Sequence, residues 1–242
     1  MITLDEVEKL GRVHVVEPMV LSVYLNVPRS PAELPGLAGR VDELVAAAER
    51  DAGRSGRLRE EDLRAARVQA TLAGPGWPGR PVGIFACAEA GLLELVRLPE
   101  TRPGMSPERA VLGIRPHIRP LLAALQPSSR LAAEILAEPA AARTAIGLPG
   151  CLAAVNAGAA EVLVVPCHGL VPGYECGRCG ALGLAADCCP DWGTAALPVP
   201  DLIEEMVSRT LEDGGLVLVV HDAPGRITAR LHCPQHAGDQ PA

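Results

Sequence analysis

Hydrophobic and polar positions in the first half of the chain switch between the period of strands and the period of helices. Residues 20–27 are rich in β-branched residues and end at Pro28, which is typical of a strand. Apolar residues then recur at helical spacing over 37–48 and 58–72, with Ala66 and Val68 expected on the inner face. We expect these two helices to form an antiparallel hairpin.

Two further runs, residues 82–88 and 92–98, predict an antiparallel strand pair. A short strand at 111–114 and a short helix at 118–125 would complete the first half. Pro127, Ser128 and Ser129 then form the best linker in the chain.

The second half alternates helices with apolar strands. Helices are predicted at 131–142, 150–157 and 201–211, and strands at 161–166, 216–221 and 227–232. This order predicts a small α/β sandwich with a mostly parallel sheet. Glu204, Glu205, Glu212 and Asp213 are expected on the solvated face of the last helix.

The predicted fold class is therefore α/β, with two small α/β sandwich domains at 1–128 and 129–242. The first domain carries the protruding helical hairpin. The second carries an irregular Cys-rich insert over 167–193, where glycines are frequent.

Composition narrows the classes of function. With 242 residues, 48% hydrophobic and 21% charged, the chain has a globular composition. Its 2% aromatic content argues against a sheet that stacks bases and against the aromatic belts of membrane proteins. The net charge of -7 lies in the second domain, where 6 basic residues face 13 acidic ones. Such a balance does not favour general nucleic-acid binding.

Two further features of the sequence indicate the cellular compartment. The acidic N-terminus does not resemble a secretory signal, and no apolar run approaches the ~18 residues of a membrane span. We therefore expect a cytoplasmic protein with no membrane partner. In that compartment the eight cysteines are expected to be reduced, so close Cys pairs are expected to be metal ligands or redox thiols rather than disulfides. Cys87 and Cys151 lie in apolar runs and are expected to be core residues.

The sharpest local motif is Cys176-Gly-Arg-Cys179 followed by Cys188-Cys189. A Cys-x-x-Cys turn supplies two of the four tetrahedral ligands of zinc, so we predict a structural zinc held by these four cysteines. Trp192 stands where a full zinc ribbon would have its last cysteine. Asp191, Cys167 and His168 remain alternative fourth ligands, and a metal-free remnant or a redox dithiol remain alternative readings.

The order of these elements resembles the class-1 peptide-chain release factors of archaea and eukaryotes, and their bacterial relatives. Segments that match their N-terminal domain are residues 21–27, the helical hairpin, 81–86, 92–99 and 117–122. Segments that match their C-terminal domain are residues 153–165, the Cys-rich insert, 201–205, 214–220 and 227–231. The resemblance covers most of the chain.

The chain departs from that family where the family's chemistry lies. No room is left for the central domain with its Gly-Gly-Gln loop, because the linker leads almost directly into the C-terminal-like domain. The hairpin tip Gly53-Arg54-Ser55-Gly56-Arg57 lacks the stop-codon-reading Asn-Ile-Lys-Ser sequence. We therefore expect neither peptide release nor enzyme activity. Arg54 and Arg57 are the candidate contacts to ribosomal RNA phosphates.

The resemblance implies a non-catalytic binding protein at the ribosome, acting in rescue, dormancy or translational regulation. Its acidic second domain would meet a translational GTPase or a second copy of the chain. One alternative is a zinc- or cysteine-dependent hydrolase, in which Cys167, His168 and the Cys-rich insert would converge on an open site. A second alternative is a scaffold protein unrelated to translation.

Overall fold

The protein combines helices with three small sheets, so the predicted α/β fold class is confirmed. The computed structural model describes residues 3–15, 19–52, 58–98, 108–126, 130–137, 143–167, 169–186, 189, 193–221 and 227–232. These residues form seven α-helices, a 3-10 helix at Pro31–Gly36 and three sheets.

The first half is built on an antiparallel sheet. Its strands are β1 (Val20–Asn26), β2 (Pro81–Cys87), β3 (Leu92–Arg97) and β4 (Arg109–Gly113), in the order β3-β2-β1-β4. Its helices are α1 (Leu4–Gly11), α2 (Leu37–Ala52), α3 (Glu60–Gly76) and α4 (Arg119–Leu125). β3 and β4 are therefore the two edges of this sheet.

Alternation along β1 assigns the two faces of the first sheet. Leu21, Val23 and Leu25 are buried under α2 and α3, which pack against each other as the hairpin. Ser22 and Tyr24 point to the opposite face, which the second half of the chain covers. Val68, expected on the inner face of α3, is 51% exposed, because the buried positions of this helix follow Asp62, Ala66, Ala70 and Ala73.

The second half contains a four-stranded sheet with helices packed on it. The elements are α5 (Arg130–Ala137), β5 (Thr144–Ile146), α6 (Gly147–Asn156), β6 (Ala160–Pro166), α7 (Leu202–Glu212), β10 (Leu216–Val220) and β11 (Thr228–Leu231), and the strand order is β10-β6-β11-β5. Only the pair of β10 and β6 is parallel. The expectation of a mostly parallel sheet is wrong, because β11 lies between β6 and β5 and runs antiparallel to both.

The Cys-rich insert forms a small sheet of its own. Its strands are β7 (Gly173–Cys176), β8 (Leu182–Gly183) and β9 (Ala196–Val199), and β7 pairs antiparallel with both of the others. The insert is packed against α7, where Leu202 fits closely over Gly173.

A continuous apolar core joins the two halves. It contains Leu10, Tyr24 and Ile118 from the first half together with Leu163 and Met206 from the second. In the described part of the chain, no strand of one half pairs with a strand of the other. The predicted boundary between 128 and 129 lies outside the described residues, so it stays a prediction. Among the described helices, none combines the length and the apolar character that crossing a bilayer demands.

Candidate functional site

Three of the four predicted metal ligands lie together in the Cys-rich insert. The Sγ atoms of Cys176, Cys179 and Cys189 all lie within 4.8 Å of one another, and those of Cys179 and Cys189 are 3.6 Å apart. Cys188 lies outside the described residues, as do His168, Asp191 and Trp192. The three described thiols could hold a metal ion, since soft thiolates at this separation suit Zn²⁺.

Two loops with the same backbone pattern position these thiols. In the first, the N–H of Cys176 donates to Ala181 at 2.8 Å and that of Gly180 donates to Cys176 at 2.8 Å. In the second, the N–H of Cys189 donates to Thr194 at 3.0 Å and that of Gly193 donates to Cys189 at 2.7 Å.

The glycine of each loop has a positive φ, 69° for Gly180 and 60° for Gly193, which explains why a glycine stands at both positions. Cys179 is the fourth residue of its loop, and Trp192 is the fourth residue of the other in the sequence. The first loop therefore supplies two thiols and the second loop supplies one. Together the two loops account for the three described ligands.

Hydrogen bonds prepare one of these thiols for metal binding. The Thr194 hydroxyl lies 3.1 Å from the Cys176 Sγ, and this contact, with the backbone amides of Cys179 and Arg178, lowers the pKa of Cys176 to about 6. The pKa of Cys179 shifts the other way. The Ala181 amide acts to lower it, but hydrogen bonding to the Cys176 side chain and the other neighbouring groups outweigh that amide and raise it. Cys176 therefore ionises more readily than Cys179 and supplies the thiolate form that metal binding requires.

The other predicted site residues lie elsewhere or outside the described residues. Cys167 is buried at the end of β6, and burial raises its pKa although Arg109 and Arg119 oppose the shift. Arg54 and Arg57, at the hairpin tip, are not described. Four described arginines on or near the hairpin are paired with carboxylates: Arg40 with Glu108, Arg59 with Glu61 and Glu89, Arg64 with Glu60, and Arg67 with Asp42.

A second cluster, which the sequence did not reveal, joins the two halves. Three basic residues at alternate positions after β4, Arg115, His117 and Arg119, face the acidic residues of α7 and its N-cap. We call this group the buried charge network; its acidic members are Asp201, Glu204, Glu205 and Glu212. The available signal in the sequence was three basic residues within five positions, Arg115, His117 and Arg119, ahead of an apolar helix.

Arg119 is the centre of the buried charge network, and its side chain is 0% exposed. Its Nε donates to the Glu204 carboxylate at 3.0 Å, and its Nη2 donates to Asp201. Two further guanidinium hydrogens are donated to the backbone carbonyls of Pro166, at 3.0 Å, and Gly169, at 2.8 Å. This side chain therefore joins α7, the end of β6 and its own segment.

His117 lies beside that guanidinium, with its Nε2 3.3 Å from Asp201 and 3.4 Å from Glu204. Burial lowers its pKa, which favours the neutral ring. His117, Asp201 and Glu204 have the donor types of a metal site, but the Arg119 guanidinium contacts all three. Its positive charge already fills the role of a cation there.

The expectation that Glu204 and Glu205 form a solvated face is wrong, since they are 3% and 4% exposed. The reason is that α7 is covered on both sides. Its apolar residues pack in the shared core, and its acidic side faces Arg115 and Arg119. The Arg115 guanidinium binds Glu205 at 2.9 Å and Glu212 at 2.5 Å.

Glu205 is expected to make stability depend on pH. Burial raises its pKa from 4.5 to about 8, although Arg115 opposes the shift. Between these values the folded chain holds a proton that the unfolded chain has lost, so the free energy of unfolding falls as pH rises, by up to about 1.4 kcal/mol per pH unit.

Glu205→Gln should remove this fall, measured by urea unfolding between pH 6.5 and 8. The lowered pKa of His117 acts with the opposite sign, mainly below its ordinary value of 6.5, and Glu205→Gln leaves that contribution in place. An unchanged slope in the variant would contradict the assignment. Glu61→Gln, at an exposed position on α3, is the control.

Comparison with known proteins finds likenesses among solved structures alone. No family model and no curated protein matches the chain. Among solved structures, the chain is similar to the "C-terminal domain of Peptide Chain Release Factor from Methanosarcina mazei", with 20% identity over 42% of this chain and 74% of that chain, and a TM-score of 0.25. A likeness of this strength assigns no activity to the chain.

Proposed function

We propose that the protein is a cytoplasmic, non-catalytic, release-factor-like binding protein that associates with the ribosome in rescue, dormancy or translational regulation. The observation that carries the proposal is the buried charge network. It holds the sheet with the helical hairpin and the sheet with the Cys-rich insert in one fixed relation. A protein that docks on two surfaces at once needs such a fixed relation, because ordering on binding weakens affinity.

The side chains that a hydrolase could use for catalysis make structural contacts instead. Arg119 uses its guanidinium on two carboxylates and two carbonyls, and His117 is held by burial in its neutral form. Cys167 has a raised pKa, which opposes the thiolate that a nucleophile requires. These observations support binding rather than hydrolysis.

Zinc in the Cys-rich insert would serve this binding role by fixing the fold of the insert. Cys176, Cys179 and Cys189 would hold the ion, and the two loops fit it because they already bring the three thiols together. Zinc held by thiolates in this way supplies structural crosslinking. The insert would thereby keep a constant shape against its partner.

Contact with ribosomal RNA is assigned to Arg54 and Arg57 at the hairpin tip. Three described arginines of the hairpin, Arg59, Arg64 and Arg67, are paired with carboxylates, which reduces the charge they offer to phosphates. Arg50, exposed near the end of α2, has no ion pair among the described residues and lies close to the tip in sequence. The acidic second half would then meet a translational GTPase or a second copy of the chain.

Co-sedimentation with ribosomes through a sucrose gradient tests the proposal. We expect the full chain to sediment with ribosomes at low salt, and Arg54→Glu with Arg57→Glu to reduce the bound fraction at least fivefold, because phosphate contacts dominate such binding. Arg64→Glu with Arg67→Glu on the described part of α3 is the matched control and should have a smaller effect.

Failure of the unaltered chain to sediment with ribosomes at low salt would reject the ribosomal role and favour a scaffold outside translation. Equal losses in both double variants would reject the hairpin tip as the contact.

A further inference from the structure

The outer edge of β3 offers unpaired backbone groups. The N–H of Leu98 donates to Pro81 at 3.0 Å, and the register pairs Gly83 with Val96. Since hydrogen-bonded pairs alternate in an antiparallel ladder, Glu94 and Val96 turn their backbone groups toward β2. The N–H and C=O groups of the intervening residues, Leu93, Leu95 and Arg97, therefore point away from the sheet.

By contrast, the outer backbone groups of β10, an edge strand of the second sheet, are hydrogen-bonded to a side chain. The Gln126 side chain donates from Nε2 to the carbonyl of Val217 at 2.8 Å and accepts from the N–H of Val219 at 3.3 Å. One amide thus replaces a neighbouring strand. In the described part of the chain, no comparable group reaches the outer backbone of β3. β3 also lacks a proline and a bulge, which commonly protect edges.

A groove of about 540 Å³ is lined by five residues of this strand, Leu92, Glu94, Leu95, Val96 and Arg97. Lys9, Leu10 and Val13, in and just after α1, line one side, and Trp77 at the end of α3 lines the other. An edge strand beside a helix is the arrangement by which several peptide-binding domains add a strand from their ligand. The groove therefore lies beside the position that an added strand would take.

Charges on β3 define what that backbone should carry. Glu94 and Val96 lie on the face toward α1, and Leu95 and Arg97 lie on the face toward Trp77. Neither Glu94 nor Arg97 has an ion pair among the described residues. Each can therefore take a partner of opposite charge directly across the strand pair.

We propose that the β3 edge binds an extended segment of a protein partner as a fifth strand of the first sheet. The segment carries four consecutive residues, acidic, apolar, apolar and basic, opposite Arg97, Val96, Leu95 and Glu94. Its backbone pairs with Leu93, Leu95 and Arg97, and its apolar residues lie beside Leu10 and Trp77. This inference is independent of ribosome binding.

Fluorescence anisotropy with labelled eight-residue peptides tests the proposal on the full chain. One peptide has the central order aspartate, valine, valine, lysine, for an antiparallel strand, and a second has the reverse order, for a parallel strand. We expect one of them to bind. Arg97→Glu should weaken that peptide about tenfold and strengthen a version with lysine in place of aspartate.

Methylation of the peptide nitrogens distinguishes backbone pairing from apolar contact, because apolar contact alone does not depend on which N–H groups are blocked. Methyl groups on alternate residues whose N–H faces β3 should abolish binding, and methyl groups on the intervening residues should leave it within about twofold. Equal effects of both sets, or no binding by either peptide at 1 mM, would overturn the proposal.

Two controls exclude indirect explanations. Thermal unfolding of Arg97→Glu should match that of the unaltered chain, because Arg97 has no ion pair to lose among the described residues. A concentration-dependent dimer that Arg97→Glu disrupts would overturn the proposal in favour of pairing between two copies of the chain.

Discussion

Arg119→Met is expected to lower the free energy of unfolding by about 3–5 kcal/mol, the typical cost of removing one partner from a buried ion pair. The loss arises because Asp201 and Glu204 remain buried without a counter-charge, while the carbonyls of Pro166 and Gly169 lose their donors. Urea unfolding at pH 7 measures the change. Arg119→Lys should recover only part of it, since an ammonium cannot reach four acceptors in the fork geometry of guanidinium.

The matched control for Arg119 is Arg64→Met, whose ion pair with Glu60 is exposed, and the expected change there is below about 1 kcal/mol. Adding Asp201→Asn and Glu204→Gln to Arg119→Met should restore part of the lost stability, because the uncompensated charges are then gone. If Arg119→Met cost no more than Arg64→Met, the buried charge network would not hold the two halves together.

Cys176→Ala is expected to abolish stable zinc binding. The unaltered chain should hold about one equivalent of zinc, and the variant less than about a tenth, because three thiolates from two loops leave no spare ligand. Cys179→Ala and Cys189→Ala should behave alike. Elemental analysis of purified protein gives the stoichiometry, and cobalt substitution gives the absorption bands of tetrahedral thiolate coordination.

Cys87→Ala is the control for the metal test, since this buried thiol lies in the first sheet and outside the three-thiol cluster. Cys188→Ala decides the fourth ligand: it should lower the zinc content only if Cys188 coordinates. A chain that held less than about a third of an equivalent of zinc before any substitution would contradict a stable site.

The sequence predicted the elements whose pattern is local. The hairpin of α2 and α3 and the strand pair of β2 and β3 follow from periodicity within 17 residues or fewer. The Cys-x-x-Cys knuckle followed from spacing alone. α1 was missed, although Thr3 and Glu6 form the capping box that marks a helix start.

The parts that escaped prediction depend on residues far apart in the sequence. Arg119 meets Glu204 across 85 positions, so neither side chain reveals the other's burial locally. The acidic face of a helix is usually exposed to solvent. The acidic face of α7 is buried only because the segment with Arg115 and Arg119 packs over it. The mixed second sheet escaped for the same reason, since strand direction depends on where β11 enters.

The wide sequence separation within the buried charge network has a consequence for synthesis of the chain. Arg115 meets its two carboxylate partners, Glu205 and Glu212, only 90 and 97 positions later in the sequence. Throughout that interval of translation, the hairpin-bearing half keeps Tyr24 and Ile118 without their final cover. The nascent N-terminal half therefore reaches its mature form only after α7 has left the exit tunnel.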